Sequence, residues 1–117
     1  TYVDDLVHAI RLLIDTIPSS PNGAKIPAYD SLSPVAPFRV VNIGNSNAVQ
    51  LTDFVKAIED ATGKIATKNL VSIQAGDVPA TWASGKLLNE LTGYAPKTDI
   101  KTGVKAFVEW YQNYYNI

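Results

Sequence analysis

Between residues 18 and 37 the chain reads PSSPNGAKIPAYDSLSPVAP, and neither a helix nor a central strand can run through it. Five of the seven prolines fall in this stretch, together with four serines. Each proline fixes its own φ and lacks the N–H that a helix or sheet ladder needs. A loop this long is uncommon inside a compact domain and is usually functional. It divides the sequence into one N-terminal element and a longer remainder.

Ahead of it, Val3, Leu6, Val7, Ile10, Leu13, Ile14 and Ile17 recur at three- and four-residue steps, which predicts an amphipathic helix. Asp4 and Asp5 suit its first turn, where the helix dipole favours negative charge, and Pro18 ends it. Beyond it, FRVVNIG (38–44) predicts a short buried strand stopped by Gly44. Leu51, Phe54, Val55, Ile58 and Ala61 form a second helical stripe, closed by Gly63. IATKNLVSI (65–73) predicts a second strand. Leu87, Leu88 and Leu91 predict a third helix, with Ser84 as N-cap and Gly93 as its end. Asp99 is placed to cap a fourth, whose inner face carries Ile100, Val104, Phe107, Val108, Tyr111 and Tyr115. The fold expected is α/β: a small mixed domain of about four helices and two or three short, partly parallel strands. The 38–73 unit would be a right-handed strand–helix–strand crossover. So small a sheet needs helices or a larger neighbour upon it.

Composition narrows function by exclusion. The 117 residues suit a single domain, 1–117, and the formal net charge of −1 gives no basic stripe for nucleic acid or an anionic membrane. There is no cysteine, so disulfides and thiolate metal sites are ruled out, and the single histidine, His8, cannot build a zinc site alone. No apolar run approaches the ~20 residues of a membrane span. A cytoplasmic location is the expectation. His8, between Val7 and Ala9, is read as a packing or surface residue. The aromatic end FVEWYQNYY is read as a packing face, since a stacking platform for nucleic acid would also need positive charge. Neither a dinucleotide Gly-x-Gly-x-x-Gly nor a phosphate-binding Gly-Lys-Ser/Thr loop is present. The helical pattern starts almost at Thr1, with no methionine, as in a piece of a longer protein.

QAGDVPATWAS (74–84) carries the chemistry that a turn alone leaves unexplained. Together with TYVDDLV (1–7), APFRVVNIGNSNAVQL (36–51) and LTGYAPKTDIKTGVKAFVEWYQNYY (91–115), it resembles the C-terminal part of NAD-dependent nucleotide-sugar epimerases and dehydratases. These are extended short-chain dehydrogenase/reductases, and the UDP-glucuronate 4-epimerase branch, of the capsular-polysaccharide type, is the most similar. The resemblance runs nearly end to end, and the stretches 36–51 and 74–84 are the specific ones. It implies a fragment lacking the Rossmann domain, and with it the catalytic side chains and the NAD site. Such a fragment has no catalytic residue, cofactor or metal of its own.

The resemblance also implies site residues. Asp77 matches the carboxylate that meets the ribose hydroxyls of the uridine nucleotide, and an ionised carboxylate makes strong, charge-assisted bonds there. Gly76 lets the backbone approach the ligand. Gln74 stands where relatives carry Arg or Gln near the phosphates or ribose. Arg39 and residues Asn45 to Asn47 fall on the side that faces the nucleotide domain in relatives, which makes Arg39 a substrate contact. An edge-strand charge is the competing reading of Arg39. Ser84 replaces an Asp that caps the following helix, and Ala75 replaces a Pro. The implied partner is a UDP-sugar, and the parent is a homodimer. A sugar-nucleotide 4,6-dehydratase is the neighbouring alternative, and a free-standing protein-interaction module is the alternative from another class. Apolar surface left uncovered is expected to make the fragment self-associate.

Overall fold

Four helices form where the apolar spacing puts them, and no strand forms among the described residues. The structure, a computed structural model, describes residues 1–19 and 25–117. The helices are α1 (Val3–Ile14), α2 (Leu51–Thr62), α3 (Lys86–Thr92) and α4 (Ile100–Tyr115). The chain is therefore helical, and the expected α/β class with parallel strands is wrong. Part of the expected 18–37 loop, residues 20–24, lies outside the described residues.

The strands fail for a physical reason. A strand exists only through a ladder to a neighbour, and neither segment has one. In 38–44 the Val40 N–H goes to the Ser31 hydroxyl at 2.9 Å, and the Phe38 carbonyl accepts from the Ser33 N–H at 2.8 Å. In 65–73 every residue is exposed, and the Ala66 N–H goes to a Glu59 carboxylate oxygen at 3.0 Å. The two segments also belong to different compact units, Thr1–Ser46 with Trp82–Lys97 and Asn47–Thr81 with Thr98–Ile117.

In the first unit α1 packs on α3. Ala9 and Leu88 are fully buried, and Leu87 and Leu32 nearly so. Helix α1 stops three residues short of Ile17. Thr16 donates its N–H to the Leu13 carbonyl and its hydroxyl to the Leu12 carbonyl, and the residue before Pro18 is disfavoured from helical ψ. Helix α3 starts one residue later than its Ser84 cap predicts. Gly85 takes the N-cap position, and the Ser84 hydroxyl accepts the Lys86 N–H at 3.4 Å. The Tyr94 hydroxyl reaches back to α1, donating to Asp5 Oδ1 at 2.7 Å, while Asp5 Oδ2 accepts the Lys97 N–H at 3.2 Å. His8 meets the Tyr94 ring edge-on at 4.6 Å between centroids. His8 is itself exposed, and this ring contact is made at the surface.

In the second unit α2 packs on α4 through Ala57, Val104 and Val108, with Ala61 and Ile100 against them. The small Ala57 lets the two backbones approach, and the valines fill the seam. Gly63 closes α2 at φ 67°, a left-handed cap that glycine adopts without steric cost. Asp99 caps α4 as predicted, its Oδ1 accepting the Lys101 and Thr102 N–H groups at 2.9 and 3.1 Å. The outer rim of α4 is aromatic and open: Phe107, Trp110, Tyr111, Tyr114 and Tyr115 are all exposed, against the inward face expected of Phe107, Tyr111 and Tyr115. The α1 stripe Val3, Val7, Ile10 and Ile14 is likewise exposed.

Two outcomes are expected. Patches of this size favour association, so the sedimentation coefficient of the isolated chain should rise with concentration. A constant monomer value would contradict this. Second, the Asp5 hydrogen bond, then burial, pushes the Tyr94 hydroxyl up to about 12 from 10.0. A raised tyrosine pKa contributes stability that is full below the unfolded value and is lost as pH rises from 10.0 to about 12. Tyr94→Phe should cost about 1 kcal/mol at neutral pH and flatten that alkaline loss, as read by urea melts at several pH values.

Candidate nucleotide-binding site

The candidate site grows from a four-residue turn. The Asp77 N–H donates to the Gln74 carbonyl at 3.1 Å, which closes Gln74–Ala75–Gly76–Asp77. Gly76, third in the turn, has φ +98°, the left-handed value that such turns demand and that side chains resist. A Cβ at Gly76 would meet nothing within 4 Å, so glycine is required here by conformation and not by crowding. Gln74 and Asp77 are both exposed. Among the described residues, no hydrogen bond or ion pair involves the Asp77 carboxylate. A tight turn thus presents an open acceptor pair, with the Gln74 amide three residues away on the same turn.

Arg39 is placed differently. Its Nε and Nη2 bond the two carboxylate oxygens of Asp30 at 2.8 and 3.0 Å, and the side chains are only 9% and 12% exposed. Asp30 Oδ1 also accepts the Leu32 N–H at 2.9 Å, and Leu32 is buried. The Arg39 hydrogen bond and that amide hold the Asp30 carboxyl below its usual 3.8, against burial, which raises it. This fork-to-fork pair pins the 30–32 loop beneath residues 38–40. Arg39 also lines a largely apolar groove of 370 Å³ with Leu13, Ile14, Ile17, Pro18 and Val41. It lies in the first unit, and the 74–77 turn lies in the second. The structure unites Gln74, Gly76 and Asp77 in one turn and leaves Arg39 outside it.

Sequence reasoning missed two arrangements. Ser46, in a left-handed conformation at φ 61°, donates its hydroxyl to the Ala83 carbonyl at 3.1 Å and accepts the Gly85 N–H at 3.0 Å. A Cβ on Gly85 would stand 3.2 Å from that hydroxyl and 3.3 Å from the Gly44 carbonyl, so a side chain there would push these neighbours back by a few tenths of an ångström. The Tyr29 hydroxyl bonds Glu90, and Lys86 Nζ sits 3.8 Å from the centre of the Tyr29 ring. Both join residues tens of positions apart and leave no local signature. The Gly85 in a pattern that otherwise favours a serine cap was the one available hint.

Among the described residues, no group of three or more His, Asp or Glu side chains could hold a metal ion. No helix is long and apolar enough to cross a membrane.

No family model matches the chain. Relatives do. A protein of Rhizobium meliloti (strain 1021) named probable UDP-glucuronate 4-epimerase is 49% identical over 116 residues, covering 97% of this chain and 34% of its own length. Protein CapI of Staphylococcus aureus is 47% identical over 116 residues, covering 98% of this chain and 34% of its own length. UDP-glucuronate 4-epimerase 4 of Arabidopsis thaliana is 39% identical over 118 residues, covering 99% of this chain and 26% of its own length. The chain therefore spans about a third or less of the curated relatives it matches.

The Arg39–Asp30 pair makes its own prediction. Arg39→Lys loses the two-pronged geometry and should cost about 1 to 2 kcal/mol in thermal or urea unfolding. Because the folded Asp30 pKa is depressed, the pair's contribution is full above 3.8 and is lost as pH falls through the lower folded value. The gap between the parent chain and Arg39→Lys should therefore narrow below about pH 4. A gap that stays constant into acid would rule out an ionic origin.

Proposed function

We propose, for a chain homologous over its whole length to the C-terminal part of proteins named UDP-glucuronate 4-epimerase, that it is the sugar-nucleotide-binding portion of a UDP-sugar 4-epimerase. The observation that carries this is the Asp77 carboxylate, exposed and without a partner among the described residues, on a turn whose glycine fixes its direction. Two ribose hydroxyls offer two donors, and an ionised carboxylate offers two acceptor oxygens. Bonds of this kind are about twice as strong as neutral ones. Gln74 supplies an uncharged amide beside them, able to donate to a phosphate or ribose oxygen. Gly76 keeps the turn free of a side chain that would hold the ligand off. Arg39 stands apart from this turn, its guanidinium engaged by Asp30 in the other unit.

Grip on the nucleotide has a catalytic use. Binding energy gained at a distance from the reacting carbon can hold the sugar in register while bonds change at C4. NAD, in this reading, is held by protein outside these 117 residues, where it supplies hydride acceptance and return. These residues bind and orient, and the reading assigns them no bond-making step.

The test is made in the full-length protein. It should interconvert UDP-glucuronate and UDP-galacturonate, and loss of water across the sugar would show a dehydratase instead. Asp77→Ala removes binding that ground state and transition state share, so it should raise KM about tenfold or more while kcat stays within about threefold. A fall in kcat at unchanged KM would contradict this role.

A further inference from the structure

The 64–81 segment that carries the Gln74–Asp77 turn is exposed at every residue and contains no helix or strand. Something must still hold the turn in a consistent place if it is to meet a ligand. The structure shows a fastening at the start of the segment, at Ala66 and Lys68, ahead of the turn that closes at Asp77. Glu59, on the last turns of α2, accepts the Ala66 N–H at 3.0 Å and the Lys68 ammonium at 2.7 Å, both on Oε1. One side chain thus takes a backbone amide and a side-chain charge from the segment just after it leaves Gly63. The Glu59 side chain is 20% exposed, against 49% for Lys68, so the acceptor is the sheltered member of the pair. Lys68, then the Ala66 amide, hold the Glu59 carboxyl below its usual range, so it is ionised when it acts.

Resting on the nucleotide reading above, we propose that Glu59 is a positioning residue for substrate binding: it straps the start of the 64–81 segment to α2 and so presents the Asp77 turn in a binding-ready arrangement. Glu59 itself does not touch the ligand. The base to which it fastens the segment is firm, because α2 is held to α4 through Ala57, Val104 and Val108. A segment whose competent arrangement is only partly populated binds more weakly in proportion to that fraction. The strap raises the fraction before the ligand arrives, so its loss appears in KM and not in the chemical step.

The experiment uses the full-length protein with UDP-glucuronate. Glu59→Ala should raise KM about fivefold with kcat within about twofold. Amide hydrogen exchange at Ala66 and Asp77, the segment's firmly hydrogen-bonded amides, should quicken about tenfold, with α2 and α4 unchanged. Glu59→Gln keeps an oxygen for the Ala66 N–H and should recover part of the loss. Lys68→Met breaks the ion pair while sparing α2, and should raise KM in the same direction; it decides the matter if Glu59→Ala fails to fold. In an Asp77→Ala background Glu59→Ala should add little, because the two act through one grip. Quicker exchange with KM unchanged would make Glu59 merely structural and overturn the proposal, as would full additivity with Asp77→Ala. If Asp77→Ala raises KM but Glu59 and Lys68 variants do not, the strap alone falls. If Asp77→Ala leaves KM unchanged, the nucleotide reading falls and the strap with it.

Discussion

Backbone amides that find no helix or sheet partner must find another acceptor, and much of this structure follows from how that need is met. Outside its helices the chain has no ladder among the described residues. Side chains stand in. Asp30 takes the Leu32 amide, Ser31 that of Val40, Ser46 that of Gly85 and Glu59 that of Ala66. In all four the polar side chain serves a second bond as well: Asp30 to Arg39, Ser31 to the Val40 carbonyl, Ser46 to the Ala83 carbonyl and Glu59 to Lys68. Short polar side chains commonly compete with regular structure in this way. Here they define the path of long irregular segments that packing scarcely touches.

Packing is concentrated in the helix pairs, with Leu32 and Pro96 buried outside the helices. Few side chains are fully enclosed, and the buried set is built of Ala, Leu and Val with Pro96. That composition suits helices in close approach, since it fills a narrow seam without polar atoms to satisfy. It also leaves the larger apolar residues, Phe, Trp and many of the Ile, facing outward. Small folds bury a modest share of their surface in any case, and the apolar stripe of α1 and the aromatic rim of α4 lie well beyond what such a seam can absorb.

The parts of this fold that were legible in the sequence are local. Helical spacing located all four helices, and Gly63, Gly93 and Asp99 ended or began them as expected, because each acts within one turn of its own position. The Gln74–Asp77 turn was legible for the same reason. The strands were misread because alternation and branching describe a residue's taste for a pleated surface, not the existence of a neighbour to pair with. FRVVNIG has the residue types of a strand and still makes no ladder. Long-range pairs were invisible: nothing near Tyr94 announces Asp5, and nothing near Arg39 announces that Asp30 will occupy both faces of its fork. The signal for Arg39 was a charge beside an apolar run, which fits a ligand contact and an internal bond equally.

A single open carboxylate also has a sense of direction. A nucleoside diphosphate sugar is strongly anionic at its middle. Two unit charges of like sign 4 Å apart repel by about 1 kcal/mol in water, and by more where protein displaces the solvent. Asp77 can welcome hydroxyl groups, but it pushes phosphate away. A ligand arriving with its ribose toward the turn keeps the diphosphate at a distance; one arriving end for end brings negative charge onto negative charge. In the proposed reading, the carboxylate that meets the ribose therefore also disfavours the reversed orientation.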